Sequence, residues 1–369
     1  MSVTDETLWL AQTLRLELDS TVDARTRELA RAWSSAWEEL ADEWQAAIAD
    51  LLTGDEWPTR AQVVRAERAR KALAATRQAF DDLARQIGVT VTSDMPAMAE
   101  AIAAWQQRLV ASELRSGVVF DWTRMDAKAL EAIVKRTTKQ IEAASRRLPR
   151  EQAAVMKQAL IRGVAVGDNP RTAAKLMLDR LGGVFDGGRR RAETIARTEM
   201  LDASRRAAQA ARIANKGIIT GWRWHATMSD RTCPVCVVMD GTVFPPEAFG
   251  PEDHPNGRCV GVPLTVSWRD LGFDIDEPAD VTPDAHDWYE RQPTSVQNNI
   301  MGADRAQRLR SGDLGWSDLV VRRDNPDWRP SYHLVPLKGS TAARPRAAQR
   351  FPARRSGTAT PAGPHPPQG

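Results

Sequence analysis

Residues 230–259 read DRTCPVCVVMDGTVFPPEAFGPEDHPNGRC and contain every cysteine of the 369-residue chain. Cys233, Cys236, His254 and Cys259 follow the pattern Cys-x2-Cys-x17-His-x4-Cys. A Cys-x2-Cys pair on a tight turn places two thiolates along one edge of a tetrahedron, and a second pair on a returning loop closes it. Thiolate and imidazole ligands together favour zinc over harder cations. We therefore predict a closed, structural zinc site.

The cluster has two other interpretations. In the first, the cysteines are ordinary buried thiols and His254 is a surface residue, since the zinc prediction rests on spacing alone. In the second, the zinc is catalytic, but that requires an open coordination position that four protein ligands do not leave. The zinc deaminase pattern is not met, because His225-Ala226-Thr227 stands where His-x-Glu is needed. The sequence also lacks His-Glu-x-x-His, Walker and Gly-x-Ser-x-Gly motifs. We therefore expect no enzymatic activity.

The flanks of the cysteine segment predict a small β module. Residues 218–226 alternate and are rich in β-branched and aromatic side chains, which is typical of a strand. Trp222 and Trp224 would face the same side of it and pack in a core. A tight turn at Asp240-Gly241 precedes a short strand, and residues 260–266 predict a third strand. Short helices are then expected at 285–291, 294–301, 303–311 and 316–321.

Upstream of the module the chain is predicted to be almost wholly helical. The segment 5–52 has no proline or glycine, and its tryptophans at 33, 37 and 44 recur on one helical face. One unbroken helix of that length would span about 70 Å, so we expect an arm, or two helices with a bend near Asp19 and Ser20. The glycine pairs at 182–183 and 187–188 predict a break before a last helix at 189–215.

The predicted fold class is therefore mainly α, with long N-terminal helices, a small α+β zinc-knuckle module and a disordered C-terminal tail. We divide the chain into an extended helical region (1–120), a helical core (121–217), the zinc-knuckle module (218–270), a short-helix region (271–337) and the tail (338–369).

Charge is unevenly distributed along the chain. The net charge is +3, yet residues 338–369 carry only basic charges, so the remainder is slightly acidic. The tail is either a solvated terminus or an arm that touches DNA phosphates, a contact that is independent of base sequence and sensitive to salt. Its candidate DNA contacts are Arg344, Arg346, Arg350, Arg354 and Arg355. The sequence has no run of about 20 apolar residues and no signal peptide, so we expect no membrane contact and an intracellular origin.

Several short motifs occur in a characteristic order. They are Ile195-Ala196-Arg197-Thr198-Glu199, Trp222-x-Trp224-x-Ala226, Asp230, Thr232-Cys233, Cys236, Asp240-Gly241, His254-Pro255-Asn256 and Arg258-Cys259. Over about residues 120–270 this order and spacing resemble the phage Mu F-like head morphogenesis (minor capsid) family. The resemblance implies a mainly helical protein with a small cysteine-bearing β module.

The same resemblance implies a function. Family members are low-copy virion components that act in head assembly with the portal protein, so the expected partners are the portal and a capsid or scaffolding protein. The expected location is the capsid interior or the portal vertex, after assembly in the host cytoplasm. The family often has His-Pro-Asn-Cys-Arg-Cys, and Gly257 replaces the first of those cysteines here. His254 or another group must therefore complete the metal site.

The remaining motif residues are expected to be structural. Arg197 and Glu199 either tie their helix to the zinc module or a partner, or belong to a solvated helix face; Thr198 lies between them. Asp230 is expected to cap the knuckle turn, and Asp240 to form a turn. One rival hypothesis is a metal-dependent nuclease or transferase effector delivered with the phage genome. Another is a DNA-binding regulator, which the acidic body disfavours.

Overall fold

The computed structural model describes residues 3–52, 58–114, 118–164, 170–324 and 329–337. Most of these residues lie in helices and few in strands, which confirms the mainly α fold class. No helix in these ranges combines the length and the apolar character needed to cross a membrane. The predicted tail, with its five candidate DNA-contact arginines, lies outside the described residues.

The structure has two parts. The first, which we call the helical body, comprises α1 (Asp5–Leu51), α2 (Arg60–Arg65), α3 (Glu67–Thr92), α4 (Met95–Glu113), α5 (Ala127–Ser145), α6 (Leu148–Val164) and α7 (Pro170–Ala214). The second, the C-terminal module, comprises β1 (Ile219–His225), α8 (Pro234–Met239), β2 (Val243–Phe244), β3 (Val260–Thr265), α9 (Ala285–Glu290), α10 (Thr294–Met301), α11 (Ala303–Arg310), a 3-10 turn (Trp316–Asp318), β4 (Val320–Arg323) and β5 (Ser331–Leu334).

The first helix is neither an arm nor divided into two helices at Asp19. It runs unbroken for 47 residues and packs along α3, α4 and α7. Its buried positions continue through Leu14, Leu18 and Val22 at a spacing of four residues, so the apolar stripe is not interrupted at Asp19 or Ser20. The expected division into two helices was wrong because those two polar residues lie outside the buried stripe.

The last helix of the body is also continuous. Helix α7 has 45 residues and passes through both glycine pairs, so the predicted break was wrong. A Cβ atom on Gly188 would lie 2.7 Å from the Trp33 ring, and one on Gly182 would lie 3.1 Å from the Trp37 ring. These glycines let α1 tryptophans pack directly on the α7 backbone. Tertiary packing therefore outweighs the low helix propensity of glycine.

The three-stranded sheet lies between two cores. Its order is β2-β1-β3, with all pairs antiparallel. On one face Val262 and Leu264 join the core of the helical body. On the other face Trp222 and Trp224, both 1% exposed, join a second core in the C-terminal module. The sheet thus connects the two parts of the molecule.

The end of the described chain differs from the prediction for 316–321. Only a 3-10 turn forms there, and the next residues enter the β4–β5 hairpin. Val320 and Val321 are buried and pair with Leu334 and His333 on β5. This pairing joins residues 12 or more positions apart, beyond the reach of a helical turn, so the local pattern did not reveal it. The proposed region boundaries stay predictions, although the core of the body extends across residue 120.

Candidate metal centre

The first cysteine pair lies at the start of α8. Cys233 is the N-cap residue, and its Sγ accepts the backbone N–H of Cys236 at 3.4 Å. Hydroxyl groups hold the preceding turn: the Ser229 amide donates to Thr232 Oγ1 (2.9 Å), and Thr232 Oγ1 donates to the Thr227 carbonyl (2.6 Å). Asp230, which was expected to cap this turn, is exposed, and its carbonyl accepts a hydrogen bond from Asn299.

The second pair lies on the loop that leads into β3. The loop closes where the Gly257 amide donates to the His254 carbonyl at 2.9 Å. Asn256 adopts a positive φ of 64°, a conformation that asparagine tolerates better than most residues. Cys259 immediately precedes β3 and is buried. The loop therefore returns its side chains toward α8.

Five potential metal ligands converge between these two segments. The ligand atoms of Cys233, Cys236 and His254 lie within 4.8 Å of one another, and so do those of Cys236, Asp253 and Cys259. The two groups share Cys236. The structure thus brings together the four residues selected from sequence and adds Asp253, which sequence reasoning missed. Its position immediately before His254 was the available signal.

The distances and burial fit a soft metal ion. Cys233 Sγ and Cys236 Sγ are 3.3 Å apart and form no disulfide. That separation is close to the edge of about 3.8 Å expected between two thiolates on a tetrahedral zinc. Cys236, Asp253 and Cys259 are buried, and Asp253 Oδ1 has no hydrogen-bond partner among the described residues. A bound cation would satisfy this oxygen, so the residues present fit zinc.

The electrostatics of the cluster favour a thiolate at Cys233. Hydrogen bonds from Cys236 and from His254 lower the pKa of Cys233 to about 4. The Cys233 thiolate in turn raises the pKa of His254 to about 9. Hydrogen bonding to Cys233 and Cys259, with burial, raises the pKa of Cys236. The His254 Nδ1–H donates to the Pro255 carbonyl at 2.7 Å, which fixes the orientation of the ring.

The region that holds this cluster also matches a known family. Residues 154–262 match the family model described as Phage Mu protein F like protein. Over this segment the chain is similar to that family. The match confirms the resemblance drawn from the sequence motifs. The searches of curated proteins and of solved structures gave no match.

One stripe of residues on α7 contacts the loop that carries candidate metal ligands and the strand β1. Thr198, Arg205 and Arg212 are seven residues apart and so lie on one face of the helix. Thr198 Oγ1 accepts the Asn256 amide at 3.3 Å. Arg212 is fully buried, and its guanidinium lies 5.1 Å from the centre of the Trp222 ring. This seven-residue period was visible in the sequence but was not recognised.

Arg205 is the central contact of that stripe. Its Nη2 donates to Asp253 Oδ2 (2.8 Å), to the Gly257 carbonyl (2.7 Å) and to the Cys259 carbonyl (3.3 Å). The Arg205 side chain is 10% exposed and that of Asp253 only 1%. The pair is therefore a buried ionic contact between α7 and the loop before β3.

The arginine and glutamate of the Arg-Thr-Glu motif reach other elements. Arg197 lies 3.3 Å from Asp23 and thus contacts α1. Glu199 is completely buried and pairs with Arg329 at 2.6 Å. Asp202, one turn further along α7, also pairs with Arg329 at 2.7 Å. These charged side chains of α7 therefore connect the helix to α1 and to the residues just before β5.

The turn at Asp240-Gly241 also makes hydrogen bonds to the end of β1. Asp240 is buried, and its Oδ1 accepts the Ala226 amide at 2.7 Å. Gly241 has a φ of 79°, and its amide donates to the Trp224 carbonyl at 2.8 Å. Asp240 therefore connects the end of α8 to the end of β1, in addition to forming the turn.

Proposed function

We propose that the protein is a minor capsid, or head morphogenesis, protein of a tailed bacteriophage. The match of residues 154–262 to the Mu F-like family carries this proposal. In it, the protein assembles in the host cytoplasm and becomes a low-copy virion component in the capsid interior or at the portal vertex. Its partners are the portal protein and a capsid or scaffolding protein. A structural role, rather than an enzymatic one, is consistent with this family.

The geometry supports a rigid adaptor held together at one buried cluster. Helices α1 and α7, of 47 and 45 residues, pack along each other and give the body a stiff axis. Zinc at the cluster would join the α8 turn to the loop before β3 through bonds to Cys233, Cys236 and Cys259. His254 lies close to Cys233 and Cys236, and Asp253 lies close to Cys236 and Cys259, so each is a candidate for the fourth ligand. Such a centre would leave no open position for a substrate.

The assembly role is tested in the phage itself. Deleting the gene and complementing it with wild-type protein, Cys236→Ser or Lys71→Ala gives a matched set, because Cys236 is buried and Lys71 is exposed on α3. We expect Lys71→Ala to restore intact heads and Cys236→Ser to leave aberrant or empty ones, scored by electron microscopy. Normal heads without the gene, or absence of the protein from purified virions by mass spectrometry, would refute the proposal.

DNA contact through the basic tail is a separate part of the proposal. Residues 338–369 carry basic but no acidic side chains. We expect full-length protein to bind duplex DNA weakly, with an affinity that falls steeply as salt rises. A chain ending at residue 337 should lose this binding. Equal affinity of the two proteins in a gel-shift titration would assign the binding to the folded part instead.

A further inference from the structure

We propose that Asp253, through Oδ1, is the fourth ligand of the metal, and that His254 lies outside the coordination sphere as a hydrogen-bond partner of Cys233. This inference rests on the zinc centre proposed above. It assigns a carboxylate to the position for which the sequence pattern selects a histidine.

The first argument is the state of the two carboxylate oxygens. Oδ2 accepts hydrogen bonds from Arg205 Nη2 (2.8 Å) and from the Cys259 amide (3.3 Å). Oδ1 is buried and has no hydrogen-bond partner among the described residues. Burying a carboxylate oxygen without a partner is unfavourable. A carboxylate oxygen of Asp253 lies within 4.8 Å of the sulfur atoms of Cys236 and Cys259, so a metal held by these residues would give Oδ1 a partner and remove that cost.

The second argument is the space at Gly257. A Cβ atom on this glycine would lie 2.2 Å from both the carboxyl carbon and Oδ2 of Asp253, and 2.6 Å from Oδ1. The carboxylate therefore fills the volume from which a side chain at position 257 would reach the cluster. A larger residue at position 257 would therefore have to displace the Asp253 carboxylate.

The third argument concerns the competing histidine. His254 is half-buried, whereas Asp253 is only 5% exposed. One ring nitrogen of His254 bonds the Pro255 carbonyl, and a ring nitrogen lies within 4.8 Å of the Cys233 sulfur, the thiolate that raises the pKa of the ring. Arg205 holds Asp253 through the oxygen that would not bind metal, as outer-shell partners of ligating carboxylates do. The histidine thus has its partners without a metal, and Oδ1 of the aspartate does not.

The decisive measurement uses the wild-type protein. Zinc K-edge X-ray absorption on the untagged, zinc-loaded full chain distinguishes the two ligands directly. We expect three sulfur atoms at about 2.3 Å and one oxygen at about 2.0–2.2 Å, without the multiple-scattering pattern of imidazole. A clear imidazole pattern would overturn the proposal, and so would a chain that takes up no zinc.

The zinc affinities of substituted proteins, measured by competition with a chelator, give an independent test. Asp253→Asn should weaken binding by more than the roughly 10–100-fold loss typical of an outer-shell partner, and His254→Asn by no more than that. The opposite order would contradict the assignment. Normal heads without the gene, found together with these zinc affinities, would refute the proposed function and leave the ligand assignment standing.

Because Asp253→Asn also unpairs Arg205, a variant that should regain zinc binding is measured beside it. Asp253→Ala combined with Gly257→Cys should regain zinc binding, and its cobalt complex should show stronger sulfur-to-cobalt charge transfer than wild type. Gly257→Ala alone should weaken binding, whereas the control Gly217→Ala, with no atom within 4 Å of its added Cβ, should not. Full zinc affinity in Gly257→Ala would count against the carboxylate.

Discussion

The helical body and the C-terminal module are stabilised in different ways. In the body, large rings fit against small residues: Trp33 packs on Gly188, and Phe80 stacks on Phe185 with ring centres 4.9 Å apart. The module has an aromatic core as well, but buried ion pairs tie it to α7, notably Arg205–Asp253 and Arg329–Glu199. The body should therefore be sensitive to changes in volume, and the module to the loss of a charge partner.

The largest effect is expected at Arg205. Replacing it in Arg205→Met keeps much of the side-chain volume but leaves Asp253 buried without its cation, which should cost about 3–5 kcal/mol in unfolding free energy. Urea unfolding followed by circular dichroism, with a chelator present, measures the loss. The control Arg269→Met removes an arginine that is 71% exposed and should change stability little. Equal losses in both would refute a special role for the buried pair.

The next effect concerns Glu113, at the boundary between body and module. This α4 residue accepts the Thr265 amide of β3 at 3.1 Å, and burial raises its pKa to about 8. Between its unfolded pKa of 4.5 and about 8, the folded protein keeps a proton that the unfolded chain loses. Stability should therefore fall as pH rises through this window, by at most about 1.4 kcal/mol per pH unit.

Glu113→Gln provides the check on that dependence. The variant keeps the size of the side chain and cannot ionise, so its unfolding free energy should be flatter between pH 5 and 8. It should also be more stable than wild type at pH 8. Identical pH profiles for the two proteins would mean that Glu113 ionises normally in the fold.

A smaller effect on stability is expected when glycines within α7 are replaced by alanine, and its sign should differ between positions. Gly188→Ala adds a methyl group 2.7 Å from Trp33, so overpacking should cost about 1–3 kcal/mol in spite of the better helix propensity of alanine. Gly183→Ala meets no atom within 4 Å and should stabilise the protein by about 0.5–1 kcal/mol. Thermal unfolding of both variants tests this contrast. Stabilisation by both would show that the Trp33 contact is not tight.

The smallest effect is expected at Arg258, in the loop that carries the candidate ligands His254 and Cys259. Its side chain is 38% exposed and lies 3.0 Å from Asp19 and 3.4 Å from Asp23 on α1. Arg258→Ala should cost no more than about 1 kcal/mol, and less at high salt. A loss as large as that of Arg205→Met would remove the distinction between buried and exposed ion pairs.

Much of the fold followed from local sequence patterns. Alternation and turn residues predicted the three strands around the cysteines, and the observed α10 spans Thr294–Met301 as expected. The predictions that failed depended on distant partners. The α7 glycines pack against α1 instead of ending a helix, and Val320 pairs with Leu334 instead of continuing a helical turn. No local pattern contains the residue on the other side of such a contact.

The candidate metal site likewise combines features that local sequence predicts with contacts that only the fold creates. The sequence by itself determined which residues have soft ligand atoms and that these residues lie on two short turns. Cys-x2-Cys and His-Pro-Asn-Gly each form a turn from neighbouring residues, so these turns can be recognised without the fold. Only the tertiary structure decided that Asp253 enters the cluster and that Arg205 holds it, since these contacts join residues 48 positions apart. The physical reason is burial. The fold removes the Asp253 carboxylate and the Arg205 guanidinium from water, so the pairing of their opposite charges stabilises both groups.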